Sequence, residues 1–475
     1  MSIVNILCAF IIACPIFDVM SYVFRNYMNT NFSISTFLRP IIPMCILAII
    51  FLKGKKKEKI FWFVVAAVYI LYGIIHLFVT KTMITGASYG TVKDEVQYIF
   101  NYTFLIIYLI MYVRIFVQKE KILEYSKLQK SITIMSYIYI ISILFAIVIG
   151  KSSYTYIETQ TGYKGWIESG NSLSAILLLS LFIMFPMCTS KELSNKFRIF
   201  TIGTITLTSI YLMLVIGTRT GLFGTFIAAG LFVVLEMIYS KNKKAIICGI
   251  VLIVCAGSFV GIKGSTTIKR RKQMAQSATT IIDEKTGEIG TMTGDMLRIK
   301  NKILDGTMED GYMSEAQQKA TMELYNYSVK HHLAGNDTRT QQLMYNIFLV
   351  KNQKSVLGFL FGNGFKTNFR EMVMENELAS MLLNFGLIGF ILYVMPLITI
   401  LGYSLFVGIK NIKKTNVMYL MMQAGLTLAL GLSWMSGYVL FATSSMMVIV
   451  ILSTMLLKKA LEINNSNIDF DKVKC

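Results

Sequence analysis

Apolar residues dominate the first half of the chain in long blocks, and each block ends at a short polar joint. Blocks of about 18 or more apolar residues are long enough to cross a bilayer as helices. They fall near 3–24, 36–52, 60–79, 97–117, 132–150, 171–188, 199–216, 220–239, 245–262, 376–407, 417–434 and 437–457. The pattern predicts an all-α polytopic membrane protein of about 12 transmembrane helices, because a helix satisfies its own backbone in lipid. Between 263 and 374 the apolar blocks give way to one large polar loop. The chain therefore divides into helices one to nine over 1–262, the loop, helices ten to twelve over 375–457, and a tail over 458–475.

Within the loop, the Ala, Gln, Glu, Leu and Lys content of Ser314–Lys330 predicts a helix. A second helix is expected over Thr340–Lys351, and turns over Gly287–Gly294. Leu360-Phe361-Gly362-Asn363-Gly364-Phe365 then brings the chain back to the membrane, with two glycines that permit a tight turn. No internal repeat and no separate soluble domain is legible.

Composition agrees with a bilayer setting. The chain is 55% hydrophobic and 15% charged, with a mean hydropathy of +0.59, too apolar for a soluble globular protein of this length. The net charge of +20 matters through its placement. Basic residues cluster at Lys53–Lys59, Arg114–Lys130, Lys191–Arg198, Lys241–Lys244, Lys410–Lys414 and Lys458-Lys459. Under the positive-inside rule these joints are cytoplasmic, which puts both termini inside and the large loop outside. Lys269-Arg270-Arg271-Lys272 does not oppose this, since long loops translocate largely regardless of charge. Charge that fixes topology and meets anionic lipid gives no reason to expect nucleic acid. The seven cysteines avoid the loop, so neither a disulfide nor a thiolate metal site is expected there. His331-His332 has no metal-binding spacing, and no metal is expected.

Three short motifs carry candidate chemistry, each beside a plainer reading. Gly217-Thr218-Arg219-Thr220-Gly221 joins two spans with almost no loop. Its glycines are consistent with helix packing and Arg219 with snorkelling. Equally, the Arg fork and the start of the next helix suit a phosphate. Asn336-Asp337-Thr338-Arg339 reads first as a helix cap, with Asp or Thr as the capping residue. Arg298 competes with Arg339 for any anion contact. Glu375-Asn376-Glu377 opens the tenth span, with Asn376 as its expected cap and the glutamates at its positive end. Asp18, Arg39 and His76 are ionisable groups inside spans, where such groups are paired or functional. Asp18 with Arg39 is a plausible structural pair. Tyr154, Tyr156, Tyr163 and Trp166, beside Glu158 and Glu168, suit an interfacial belt, and equally sugar recognition.

The order of these elements resembles the O-antigen polymerase and ligase superfamily, most closely the capsular or exopolysaccharide repeat-unit polymerases of Gram-positive bacteria. The likeness rests on the external Gly-Thr-Arg-Thr-Gly, the loop Arg before a Phe-Gly-x-Gly-Phe return, the acidic-Asn start, and Gly386-Leu387-Ile388-Gly389 within the following helix. In the ligase branch a His stands before the Asn, where this chain has Glu375. Arg339 follows Asp337-Thr338 rather than the family's Ser-Gly pair.

The resemblance implies transfer of a glycan from polyprenyl diphosphate onto an incoming lipid-linked repeat unit, with no metal or other cofactor. Arg219 and Arg339 would hold the diphosphate and Glu375 would be the general base, with Glu377 in reserve. Asn376, Arg298, Asp18 and Arg39 are possible supporting residues. Implied partners are the lipid-linked oligosaccharide, the growing glycan, membrane lipid, a chain-length regulator and other polysaccharide-assembly proteins. The implied location is the plasma membrane with the site facing outside. A ligase for finished glycan and a flippase for lipid-linked oligosaccharide remain alternatives.

Overall fold

The structure is a computed structural model. It describes residues 3–472 apart from 29, 31–33, 83–90, 118–121, 158, 191–192, 241–242, 244–245, 254–256, 258–264, 271–290, 336, 366–368 and 436. The helices of the first half are α1 (Ile3–Tyr27), α2 (Ile34–Lys53), α3 (Lys56–Thr82), α4 (Val92–Tyr112), α5 (Ile122–Val148), α6 (Gly170–Met184), α7 (Asn195–Ile210) and α8 (Arg219–Leu235). The polar segment contributes α9 (Met296–Leu304), α10 (Glu315–Lys330), α11 (Thr338–Gln353) and α12 (Val356–Phe361). The chain closes with α13 (Glu377–Asn384), α14 (Gly386–Tyr393), α15 (Met395–Lys410), α16 (Val417–Met435) and α17 (Thr443–Lys472).

Among the described residues, eight helices are long and apolar enough to cross a membrane, or nine when α14 and α15, bent by 50°, count as one span. Of the other expected spans, 36–52 is helix α2 and 245–262 lies partly outside the described residues. The last one starts only at Thr443, because 437–442 is irregular. Helix α6 contains no charged residue and is correspondingly buried on all sides: 94% of its span lies inside the protein. Helices α5, α7, α8, α16 and α17 surround it. Helix α3 is peripheral and turns Phe63, Ile70, Leu71, Ile74 and Phe78 outward, the apolar face that lipid accepts.

Two features depart from the sequence reading. Residues 151–170 hold a small antiparallel hairpin, β1 (Ser153–Tyr156) and β2 (Thr161–Gly165), in an otherwise helical protein. Gly162, at φ +70°, lets it press against the Ile216 carbonyl, where a Cβ would come within 2.2 Å. The polar segment also builds a core of its own from Met292, Met296, Ile299, Met313, Ala320, Leu324, Tyr345, Leu349, Phe369 and Met372. No separate folded unit was expected there. Methionines fill this core in place of the branched residues that mark a compact fold in sequence. Burial raises the Tyr345 phenol well above its usual range.

The expected loop helices are present. Ser314 caps α10 in a reciprocal box with Gln317, each side chain bonding the other's backbone. Helix α11 starts at Thr338, slightly ahead of the expected Thr340. Asp337 occupies its cap position, but its Oδ2 accepts from the Ala334 N–H instead of a helix amide, 2.9 Å away. Of the expected turns at Gly287–Gly294, all but the last four residues lie outside the described residues, and Gly294 has φ +52°.

Candidate active site

The site forms where the polar segment returns to the membrane helices. Gly362 and Gly364 take φ of +88° and +76°, a region open to glycine at little cost. Gly362 also lies flat on the break between α13 and α14, where a Cβ would stand 2.1 Å from the Asn384 carbonyl oxygen. The Asn363 and Gly364 amides donate to the Leu383 and Asn384 carbonyls at 3.2 and 2.9 Å. The expected tenth span is therefore three helices: Gly386, at φ +73°, is the first residue of α14, directly after the break at Phe385, and Gly389 lies within the same helix.

His76 and Glu95 anchor the same return from the membrane side. His76 is fully buried, its Nδ1 donating to the Phe361 carbonyl at 2.6 Å and its Nε2 lying 2.9 Å from Glu95 Oε1. Glu95 Oε2 accepts from the Phe365 amide at 2.9 Å. The intramembrane His76 is thus a paired group, and Phe365 is seated between Tyr98, 4.3 Å away in a stacked arrangement, and Phe385.

From this return the chain runs back along α11. Arg339, Gln342 and Asn346 recur at helical spacing and so line one face. Asn346 donates to the Met372 carbonyl at 2.9 Å; Gln342 donates to the Glu371 carbonyl at 3.0 Å and accepts from the Glu375 amide at 3.1 Å. Arg339 completes the row, its Nε donating to Glu375 Oε2 and its Nη1 to the Met435 carbonyl, both at 3.0 Å. The helix thereby holds residues 371–375 along a cavity of about 430 Å³. Its lining combines the aromatic residues Tyr98, Tyr102, Phe365, Tyr438 and Phe441 with the polar residues Gln342, Arg370, Glu375, Glu377 and Ser380.

The predicted residues distribute unequally around this cavity. Glu375 lines it and is half-exposed, and Arg339 reaches it through the ion pair with Glu375. Glu377 is buried and accepts the amides of Val439, Leu440 and Phe441 at 2.7–3.0 Å. A carboxylate ringed by backbone donors shapes a loop, and its oxygens are committed to that task. Asn376 stands at the cap position of α13 but makes no capping bond, a correction to the expected cap. Its backbone carbonyl accepts from Ser380 instead.

Arg219 is the first residue of α8, exposed and without a partner among the described residues. It does not line the cavity. The two places share one support, the first turn of α6: Ser174 bonds Thr218 Oγ1 at 2.7 Å, and Ser172 donates to Ser445, which in turn bonds the Val439 carbonyl. Arg298 is exposed and ion-paired with Asp295 at 3.4 Å, outside the cavity. Asp18 and Arg39 form the expected pair at 2.8 Å. Tyr139, Ser35 and Ser444 donate to Asp18, and Arg39 donates to Thr443, so the network ties α1, α2, α5 and α17 together.

Sequence reasoning missed Arg370, Tyr98 and Tyr438. Arg370 lines the cavity, exposed and with no partner among the described residues. Its signal was available, since it stands five positions before Glu375 in the same approach to the membrane. The tyrosines gave none, because interfacial aromatics are common in any polytopic protein.

A bundle of helices long and apolar enough to cross a membrane, carrying a polar, carboxylate-bearing cavity, defines an integral membrane protein with a candidate active site. The family model described as O-antigen ligase like membrane protein matches residues 2–463, and the chain belongs to that family. It is a membrane glycosyltransferase-type enzyme acting on lipid-linked glycans. A comparison with curated proteins gives no match.

Proposed function

We propose that the protein is a polysaccharide polymerase that transfers a growing glycan from its polyprenyl diphosphate carrier to an incoming lipid-linked repeat unit at the outer face of the plasma membrane. The meeting of Glu375, Arg339 and Arg370 around one cavity supports this reading most. An acceptor hydroxyl attacks the anomeric carbon of the donor glycan, the new C–O bond forms, and the bond to the diphosphate breaks. The electron pair leaves with the diphosphate, and the hydroxyl proton passes to Glu375.

Cations supply what the anionic leaving group needs. Arg370 has its whole fork available, whereas Arg339 shares its charge with Glu375 and also steers that carboxylate. Glu375 Oε1 has no partner among the described residues and is the oxygen that takes the proton. Arg219, outside the cavity lining, is a second candidate for the same diphosphate. The outward orientation follows from the basic joints between spans. A glutamate where the ligase branch carries His favours the polymerase, while the family description favours the ligase as the second reading.

The test is gel analysis of lipid-linked glycan in a deletion strain. The polymerase predicts single repeat units displayed outside. Long chains left on the lipid carrier would establish the ligase, and units trapped inside would establish a flippase.

A further inference from the structure

The chain goes to unusual lengths to place one aromatic ring at the mouth of the cavity. Tyr438 lines it, is 52% exposed, and has φ +65°. A bulky side chain in the left-handed region is an outlier that costs on the order of 1–3 kcal/mol and persists only where the surroundings impose it. Here they do so from both sides. Glu377 gathers the next three amides, at Val439, Leu440 and Phe441, and the Ser445 hydroxyl donates to the Val439 carbonyl at 2.7 Å, with the carbonyls of Tyr438 and Ala442 also within 3.2 Å of it. Gly437 passes so close to the Glu375 carbonyl that a Cβ would lie 2.9 Å from its oxygen. A glycine at 438 would adopt this turn without strain, so the ring itself is what the arrangement preserves.

The ring is backed by others. Phe441 lies 6.2 Å from Tyr438 and 4.9 Å from Tyr98, which stacks on Phe365. The result is a cluster of aromatic rings lining the same cavity as Gln342, Ser380 and Glu375. That combination of aromatic surface with a few polar groups suits a pyranose ring, whose C–H face packs on an aromatic while its hydroxyls bond to amides and a carboxylate.

We propose that Tyr438 is the platform for the sugar ring that accepts the glycan, and that Glu377 is the positioning residue that holds the platform in place. This rests on the proposed transfer reaction, because the ring then sits beside Glu375 with its hydroxyl ready to be deprotonated.

The experiment uses the full chain in proteoliposomes and, as probe, the lipid-linked glycans extracted from the deletion strain. Tyr438→Gly relieves the backbone and removes the ring. It should leave the melting temperature unchanged or higher while raising KM for the extracted glycan on the order of tenfold. Tyr438→Trp should recover most of that loss. Its indole emission should be quenched by the extract, and not by the same extract after mild acid has removed the sugars. A Tyr438→Gly protein with the wild-type KM, or emission that does not distinguish the two extracts, overturns the platform. Sugar-dependent quenching in a protein that performs no transfer would keep the platform and reject the polymerase.

Discussion

Arg339 and Glu375 lie 36 positions apart and meet in an ion pair of 3.0 Å at the mouth of the cavity. Both side chains are about half-exposed, at 48% and 47%. Pairs this accessible contribute about 0–1 kcal/mol to stability, so the fold has little need of this one. Its geometry bears on chemistry: Arg339 fixes one carboxylate oxygen and leaves the other.

Glu375→Gln should therefore separate function from folding. Its unfolding free energy is expected to stay within ~1 kcal/mol of wild type. The rate of glycan transfer should fall by roughly 10²–10⁴-fold, the usual contribution of a general base. Thermal melts beside a gel of polymer length check both, and long polymer from this variant would reject Glu375 as the base.

Glu377→Gln should do the reverse in its first effect. The amide keeps one acceptor oxygen and turns an N–H toward backbone amides, leaving buried donors unsatisfied at a cost of about 1–3 kcal/mol. A lowered melting temperature, with faster hydrogen exchange at Val439, Leu440 and Phe441, is the expected result. An unchanged melt would contradict the positioning role.

Arg370→Ala should leave stability within about 0.5 kcal/mol, since the side chain is exposed and bonds nothing among the described residues. Binding of farnesyl diphosphate by the purified protein should weaken by roughly tenfold or more, the value of a charge-assisted contact, with little change for farnesol. Calorimetric titration of both lipids reads the difference. Equal losses for the two would show that Arg370 supports the cavity without meeting phosphate.

His76→Ala removes one partner of a buried pair and strands Glu95, which typically costs about 3–5 kcal/mol. The loss should appear first where the pair does its work, at the Phe361–Phe365 return. Hydrogen exchange at Gly364 and Phe365 should rise ahead of exchange in α6; uniform acceleration through the bundle would refute a local anchor.

Local sequence pattern encodes the membrane class, most of the long apolar helices, the two main loop helices, and the glycines of the return. Each is written in local pattern: apolar length, helix formers, or residues that tolerate positive φ. It also singled out Glu375 and Arg339, though not that they touch. Tertiary structure alone decided the rest. Pairing of Arg339 with Glu375 depends on how α11 lies against 371–375, and the break at Phe385 depends on Gly362, 23 positions earlier, pressing on the backbone of Asn384 and Gly386. The roles of Glu375 and Glu377 diverged for the same reason. Two carboxylates two positions apart look alike in sequence, but folding exposes one at a cavity and buries the other among three amides contributed by a loop more than sixty residues away. Burial and partners are properties of packing, and no local pattern encodes them.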